Sequence, residues 1–308
     1  MVIMISLKQL HYALAIERTL HFKKASEACN VSQSALSTAI NELESKLGVI
    51  IFERNNKKVL VTQSGQLILN KAKKIKLELD ELLDVAQTNK QPFSSPMTIG
   101  VIPTIGPYLL PKVLPDVRKQ YPSFKLRIIE EQSHILIDML RNGELDTALI
   151  ALPYPIDGLM SFNFWQEDFY WVSHKDECPS HIQEITIEEL DFEKLMLLKD
   201  GHCLKDHALA ACSMKNINQD SEFDSASLHT LIQMVAGKLG TTLVPQMSLD
   251  QLIYNESELT AIHLNEPGPH RSISLVTRPN YVRTNELILL KDIFTKQLTD
   301  KCNLDSNK

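Results

Sequence analysis

The sequence predicts an α/β chain in three parts: an all-α start closed by a short β-hairpin, one long helix, and a two-lobed α/β domain. Three observations predict it. Apolar residues recur at helical spacing between Leu36 and Leu47, a second helical stripe runs from Ile68 to Ala86, and strand-like and helix-like runs alternate after Met97. The parts fall at residues 1–61, 62–90 and 97–308, with a second lobe inserted at about 168–270.

The chain has 308 residues, 44% of them hydrophobic, enough to bury more than one core. Its first twenty residues include Lys8, His11, Glu17 and Arg18, and no apolar run approaches the roughly 18 residues of a membrane span. No membrane partner and a cytoplasmic location are therefore expected. Cys29, Cys178, Cys203, Cys212 and Cys302 are too scattered for a secreted disulfide framework, so their default state is the free thiol. The net charge of −6 conceals an asymmetry. Up to Lys90 there are 13 Lys/Arg against 9 Asp/Glu, and beyond it 19 against 29. Only the first part suits phosphate.

The first part contains two short helices and a tight turn. Phe22 to Ala28 forms one helix, with Phe22 and Ala25 available to pack, and Cys29-Asn30-Val31 makes the turn. Ser32 stands where an N-cap belongs, and Leu36, Ile40, Leu43 and Leu47 supply one apolar stripe of the next helix. This is helix-turn-helix geometry. The opposite face carries Ser34, Ser37, Thr38 and Asn41 at i, i+3, i+4 and i+7, with Gln33 beside them. Hydroxyls and amides suit base edges and phosphate oxygens in a major groove, whereas a merely solvated face more often holds Lys and Glu. Double-stranded DNA is the partner this face predicts.

Val49 to Phe52 and Val59 to Val61 then form a hairpin whose tip, Arg54-Asn55-Asn56-Lys57-Lys58, is basic. Arg54 and Lys57 are placed to meet phosphates. Thr62 caps a long helix in which Ile68, Ala72, Ile75, Leu79, Leu82 and Ala86 alternate steps of four and three. Such a seam calls for a partner helix, with packing on its own domain as the alternative. Gln91-Pro92-Phe93-Ser94-Ser95-Pro96 breaks the helix and reads as a linker.

These residues resemble the LysR-type transcriptional regulators. The resemblance is carried above all by Phe22 to Ser37, then by Leu43-Glu44, Leu47-Gly48-Val49, Ile51-Phe52-Glu53-Arg54 and Thr62-Gln63-Ser64-Gly65. It implies a winged helix-turn-helix, a homodimer through the linker helix and a periplasmic-binding-protein-like effector domain of two lobes. Asn41-Glu42 departs from the family, standing where a basic residue is common.

In the last part, strands are expected at Thr98 to Ile102, Lys125 to Glu130, Thr147 to Ala151 and Ile273 to Thr277, with helices after Pro107, up to Asn142 and from Thr284. Two such lobes leave a cleft for a ligand. The informative stretch is Asp200-Gly201-His202-Cys203-Leu204-Lys205-Asp206-His207, followed by Cys212. His202, Lys205 and His207 bring positive charge to Cys203, and a helix opening there would also favour the thiolate, the oxidisable form; Asp206 works against it. On a continuous helix Cys203 and Cys212 would lie about 13.5 Å apart along the axis, while a disulfide needs Cα atoms within about 7 Å. If the two bridge, the segment between them must refold.

Ile102 to Pro111 and Leu197 to Asp206, with Cys212 at its spacing, resemble one branch of that family, the peroxide-sensing OxyR regulators. The resemblance implies that hydrogen peroxide oxidises Cys203 to a sulfenic acid and that Cys212 resolves it to a disulfide. A rearranged homotetramer then activates antioxidant genes, with RNA polymerase as a further partner. It also implies that Thr104 and His202 orient the oxidant, with Lys205, Asp206, Ser133 and Arg271 around them. Lys205 stands where arginine is common and Ser133 where threonine is usual.

A zinc site of His202, Cys203, His207 and Cys212 fits poorly, because the ligands are adjacent and there is no Cys-x-x-Cys pair. No metal or other cofactor is expected. Two further readings compete. A LysR-type regulator could bind a small organic acid between its lobes, leaving the cysteines without a redox role. A thiol peroxidase would share the Cys203 chemistry but need no DNA-reading helix, so a non-enzymatic regulator is the expectation.

Overall fold

The computed structural model describes residues 4–54, 58–85, 91–178, 182–199, 201, 203–211, 227–253 and 258–305. The chain divides into two compact units, residues 1–89 and 90–308.

In the first unit, α1 (Leu7–Thr19) begins on a capping box in which Ser6 accepts from the Gln9 backbone and Gln9 returns the bond. The second helix, α2 (Phe22–Ala28), is followed by a short turn and by α3 (Gln33–Leu47), which Ser32 caps by accepting from the Ala35 N–H. Leu36, Ile40 and Leu43 are completely buried, so the apolar stripe is the face that packs, with Ile16 and Ala25 against it. Strand β1 (Phe52–Arg54) pairs antiparallel with β2 (Val59–Val61), Phe52 opposite Val61. The first strand is shorter than the apolar run suggested, since Val49 and Ile50 lie outside it and Ile50 is exposed.

Helix α4 (Gln63–Val85) starts where Thr62 Oγ1 accepts from the Gly65 N–H at 2.8 Å. A Cβ on Gly65 would stand 2.3 Å from the Ile51 carbonyl oxygen, so only glycine lets the helix start against the hairpin. The predicted seam divides. Ala72 and, beside the predicted series, Leu69 are buried, and Lys73 pairs with Glu17 of α1 at 3.1 Å. Ile75 and Leu82 remain exposed, and Ala86 lies outside the described residues.

The second unit holds two five-stranded sheets. The first lobe takes β3 (Met97–Val101), α5 (Gly106–Gln120), β4 (Leu126–Glu130), α6 (Ser133–Arg141), β5 (Thr147–Leu152) and β6 (Met160–Glu167). The chain then enters the second lobe through β7 (Phe169–His174), β8 (Glu184–Ile185), β9 (Leu195–Met196), α7 (Cys203–Ala211), α8 (Leu228–Ala236), β10 (Thr241–Pro245), α9 (Leu249–Leu252) and β11 (Leu259–Leu264). It returns with β12 (Arg271–Thr277) and ends on α10 (Thr284–Asp305). The sheet orders are β4-β3-β5-β12-β6 and β8-β11-β7-β10-β9. β3 pairs parallel with β4 and β5, while β12 pairs antiparallel with β5 and β6.

Two chain crossings therefore join the lobes, next to Glu167 and next to Arg271. The interval read as a linker also carries a packing residue. Phe93 is 2% exposed, its ring 4.5 Å from the rings of both Tyr121 and Phe124, which anchors this stretch in the second unit.

Candidate functional site

Two sites emerge, one in each unit. In the first, Gln33, Ser34, Thr38 and Asn41 of α3 are exposed and Ser37 is half-buried, opposite the buried stripe. Ser32 is already engaged: its Oγ accepts from the Ala35 N–H at 3.2 Å and lies 3.0 Å from Ser34 Oγ. The helix is fixed to its surroundings by two carboxylates. Glu44 Oε1 accepts from the Ile51 and Phe52 N–H groups at 2.7 and 3.0 Å, and Glu42 Oε2 accepts from Gln9 Nε2 at 3.3 Å. Glu42, the acidic departure from the family pattern, thus serves the domain's own packing. The Arg54 backbone closes the first strand of the hairpin, and Lys57 lies outside the described residues.

The second site is built where α7 meets the first lobe. Cys203 opens α7 and is buried; Gly201 precedes it at φ +95°, and a Cβ there would meet Gln132 Oε1 at 2.7 Å. Ile102, Pro103 and Thr104 after β3, Gln132 and Ser133 at the start of α6, and Gly201 with Cys203 line a narrow hollow. Thr104 and Ser133 are buried, and the Ser133 hydroxyl faces the Cys203 thiol. His202 and Cys212 lie outside the described residues, Lys205 is half-buried on α7, and Asp206 is exposed.

Arg271 forms the wall behind Thr104. It is fully buried: Nε donates to Glu167 Oε1 at 2.7 Å, Nη1 to Thr104 Oγ1 at 3.2 Å and Nη2 to the Thr104 carbonyl at 3.2 Å. Because Thr104 Oγ1 accepts from Arg271, its own proton is free to turn toward a guest in the hollow. The second carboxylate oxygen of Glu167 accepts from the Met247 N–H at 2.8 Å, tying this cluster to the second lobe.

Burial pushes the Cys203 thiol up; the Ser133 hydroxyl, the Arg271 cation and the helix backbone oppose it, and Asp206 adds to the rise. Cys203 therefore rests as a thiol. This corrects the sequence expectation of a thiolate favoured by its neighbours. His207, expected as a positive neighbour, is held neutral because burial pushes its pKa down, and its Nε2 donates to the Pro153 carbonyl at 2.8 Å. Among the described residues, the cation that acts on Cys203 is Arg271, 68 positions away in sequence. Sequence reasoning missed Glu167 and Gln132, whose local context carries no signal because their partners are distant. Cys29 and Cys178 are half-buried, and burial pushes both thiols up. No cluster fit to hold a metal occurs among the described residues.

A helix-turn-helix unit joined by a helix to two lobes with a cleft residue such as Cys203 defines a DNA-binding regulator with a responsive domain. Residues 7–66 match the bacterial regulatory helix-turn-helix of the lysR family and residues 90–299 the LysR substrate binding domain. The chain belongs to the LysR-type transcriptional regulators. It is 34% identical to the hydrogen peroxide-inducible genes activator of Dickeya chrysanthemi over 274 residues, 89% of this chain and 90% of the relative. It is 33% identical to the HTH-type transcriptional regulator EstR of Acinetobacter baylyi over 291 residues, 94% of this chain and 96% of the relative. Among solved structures, a full-length OxyR variant from Pseudomonas aeruginosa superposes with a TM-score of 0.81 at 33% identity, covering 94% and 95% of the two chains. A peroxide-bound OxyR mutant from Corynebacterium glutamicum gives 0.67 at 32% identity, covering 99% and 96%. No helix among the described residues is long and apolar enough to cross a membrane.

Proposed function

We propose that the chain is a cytoplasmic activator of oxidative-stress genes that binds DNA through α3 and is switched by hydrogen peroxide at Cys203. The observation that carries this reading is the hollow itself. It is narrow, and it presents a thiol beside hydroxyls and a guanidinium-backed threonine. The likeness to peroxide-bound OxyR supports the same oxidant.

In the first step the Cys203 sulfur attacks one peroxide oxygen and the O–O bond breaks. The departing hydroxide takes up the thiol proton as water, leaving a sulfenic acid. Thr104, held by Arg271, donates to the departing oxygen, with Ser133 beside it, and His202 and Lys205 assist in orienting the oxidant. In the second step the Cys212 thiol attacks the sulfenic sulfur, forming the S–S bond and releasing a second water. All nine residues from Cys203 to Ala211 are helical, a span of about 12 Å at 1.5 Å per residue. That exceeds disulfide reach, so α7 unwinds and oxidation changes the shape of the second lobe.

Residues 1–61 then read DNA, and α4 joins two copies through Ile75, Leu79 and Leu82, with a tetramer and RNA polymerase as the higher assembly. Treating purified protein with micromolar peroxide and mapping disulfides by mass spectrometry tests the reading; the absence of a Cys203–Cys212 bridge would overturn it. The competing reading is a LysR-type regulator that binds a small organic ligand between its lobes, for which Cys203→Ser would leave induction intact.

A further inference from the structure

The Glu167–Arg271 pair has no part in the steps above beyond holding Thr104, yet it is the most completely enclosed ion pair among the described residues, with both side chains at 0% exposure. Glu167 Oε1 takes both the Nε and Nη2 groups of Arg271 at 2.7 Å, leaving Nη1 to Thr104 and therefore to the wall of the hollow. Two charges so close and so dry act on a third group nearly as a dipole rather than as a cation. Arg271 alone would draw a proton off a neighbouring thiol; Arg271 capped by Glu167 draws far less.

We infer that Glu167 is a positioning residue that masks the Arg271 charge from the Cys203 sulfur and so sets how readily that thiol reacts. The inference rests on Cys203 being the reactive residue of the hollow. Among the described residues, the charged and titratable groups around the sulfur are Arg271 from β12, Tyr154 after β5, and Asp206, His207 and half-buried Lys205 on its own helix, with the Ser133 hydroxyl from α6 beside them. His202, next in the chain, lies outside the described residues. Of these, Arg271 alone carries positive charge in the dry interior, and its carboxylate partner is Glu167. Glu167 also accepts from the Met247 N–H of the second lobe, so any movement of that lobe that draws Glu167 off Arg271 would sharpen the thiol.

The test follows the rate of Cys203 carboxamidomethylation by iodoacetamide against pH, in the full-length reduced protein, by peptide mass spectrometry. Glu167→Gln is expected to lower the pH midpoint by at least about one unit, the shift an unmasked cation produces nearby. At neutral pH the rate should rise about threefold or more, since the gain in thiolate is partly offset by its lower nucleophilicity. Glu167→Asp, which keeps the charge but holds it one methylene farther from Arg271, should lower the midpoint in the same direction by a smaller amount. In an Arg271→Met background, Glu167→Gln should have no such effect, because no cation remains to unmask.

A midpoint that does not fall in Glu167→Gln overturns the inference, as does an equal shift in the Arg271→Met background, which would mean simple loosening. Should Glu167→Gln fail to fold by circular dichroism, Glu167→Asp carries the test through a smaller downward shift, and an unchanged or raised midpoint overturns the inference. The reagent is not peroxide, so the proposed function can fail separately: a midpoint that shifts as expected in protein whose Cys203 ignores peroxide would sink the sensor reading alone.

Discussion

Leu204→Ala should make the Cys203–Cys212 disulfide markedly easier to form. Leu204 is 3% exposed and is the largest apolar side chain by which α7 is fastened to the core, its other buried residues being Cys203, His207 and Ala208. Truncating a buried leucine costs about 2–5 kcal/mol in the state that buries it. If α7 must unwind to bridge the cysteines, that cost falls on the reduced state alone, and the disulfide gains by the same amount. For a two-electron couple about 1.4 kcal/mol corresponds to about 30 mV, so the midpoint potential should become more negative by about 40–110 mV. Equilibrating wild type and variant in graded glutathione buffers, then counting disulfide-linked peptide, measures the shift. A potential unchanged within about 10 mV would mean that Leu204 keeps its burial on oxidation, and the unwinding argument would fall.

Other consequences are as direct. Gly65→Ala, which in most helices would stabilise, should destabilise the DNA-binding unit by about 1–3 kcal/mol in urea unfolding, because its Cβ meets the Ile51 backbone. Leu82→Lys, at an exposed position of α4, should leave the fold intact by circular dichroism yet shift sedimentation toward monomer, whereas Ala72→Lys at a buried one should unfold the unit. Asn41→Ala should weaken binding to a cognate operator by about 1–3 kcal/mol with little change on random DNA, measured by fluorescence anisotropy at fixed salt. Burial raises the Cys203 thiol above its ordinary value and takes the Tyr108 hydroxyl to about 12. Both groups favour the protonated folded state. Their contribution is complete below their unfolded pKa values and is lost as pH climbs toward the folded ones, at up to about 1.4 kcal/mol per pH unit for each. Denaturation midpoints should therefore fall at alkaline pH, and Cys203→Ser should remove the earlier part of the decline.

What could be read from the sequence was what depends on near neighbours. The stripe of Leu36, Ile40 and Leu43 is buried, and the strands expected near Thr98, Lys125, Thr147 and Ile273 begin within two residues of those positions. The division of the α4 seam was not legible. Ala72 and Ile75 look alike as text, and only the position of α1 decides which is covered. Phe93 shows the same blindness, since two prolines and two serines around it conceal a side chain packed on Tyr121 and Phe124. The electrostatics of Cys203 went astray for a related reason. Sequence proximity offered His207 and Lys205, while among the described residues the cation that acts on the thiol arrives on β12, its charge already capped by a carboxylate from the end of β6.

That reversal alters how a sensor of this design would discriminate. A permanently ionised cysteine on the surface reacts with any electrophile that reaches it, at a rate set by its thiolate fraction. Cys203 is protonated at rest and faces a hollow too small for bulky reagents, so intrinsic nucleophilicity is sacrificed while access is narrowed. A small oxidant still reacts through the thiolate, and a donor in the hollow that protonates its departing hydroxide speeds that reaction selectively. In the proposed mechanism Thr104, oriented by Arg271 with its proton free, is the donor to that hydroxide. Selectivity would then come from matching the leaving group to the pocket rather than from activating the sulfur. The inferred role of Glu167 would fit the same logic: a carboxylate that quiets Arg271 would keep the thiol slow toward any reagent that the hollow does not hold and protonate.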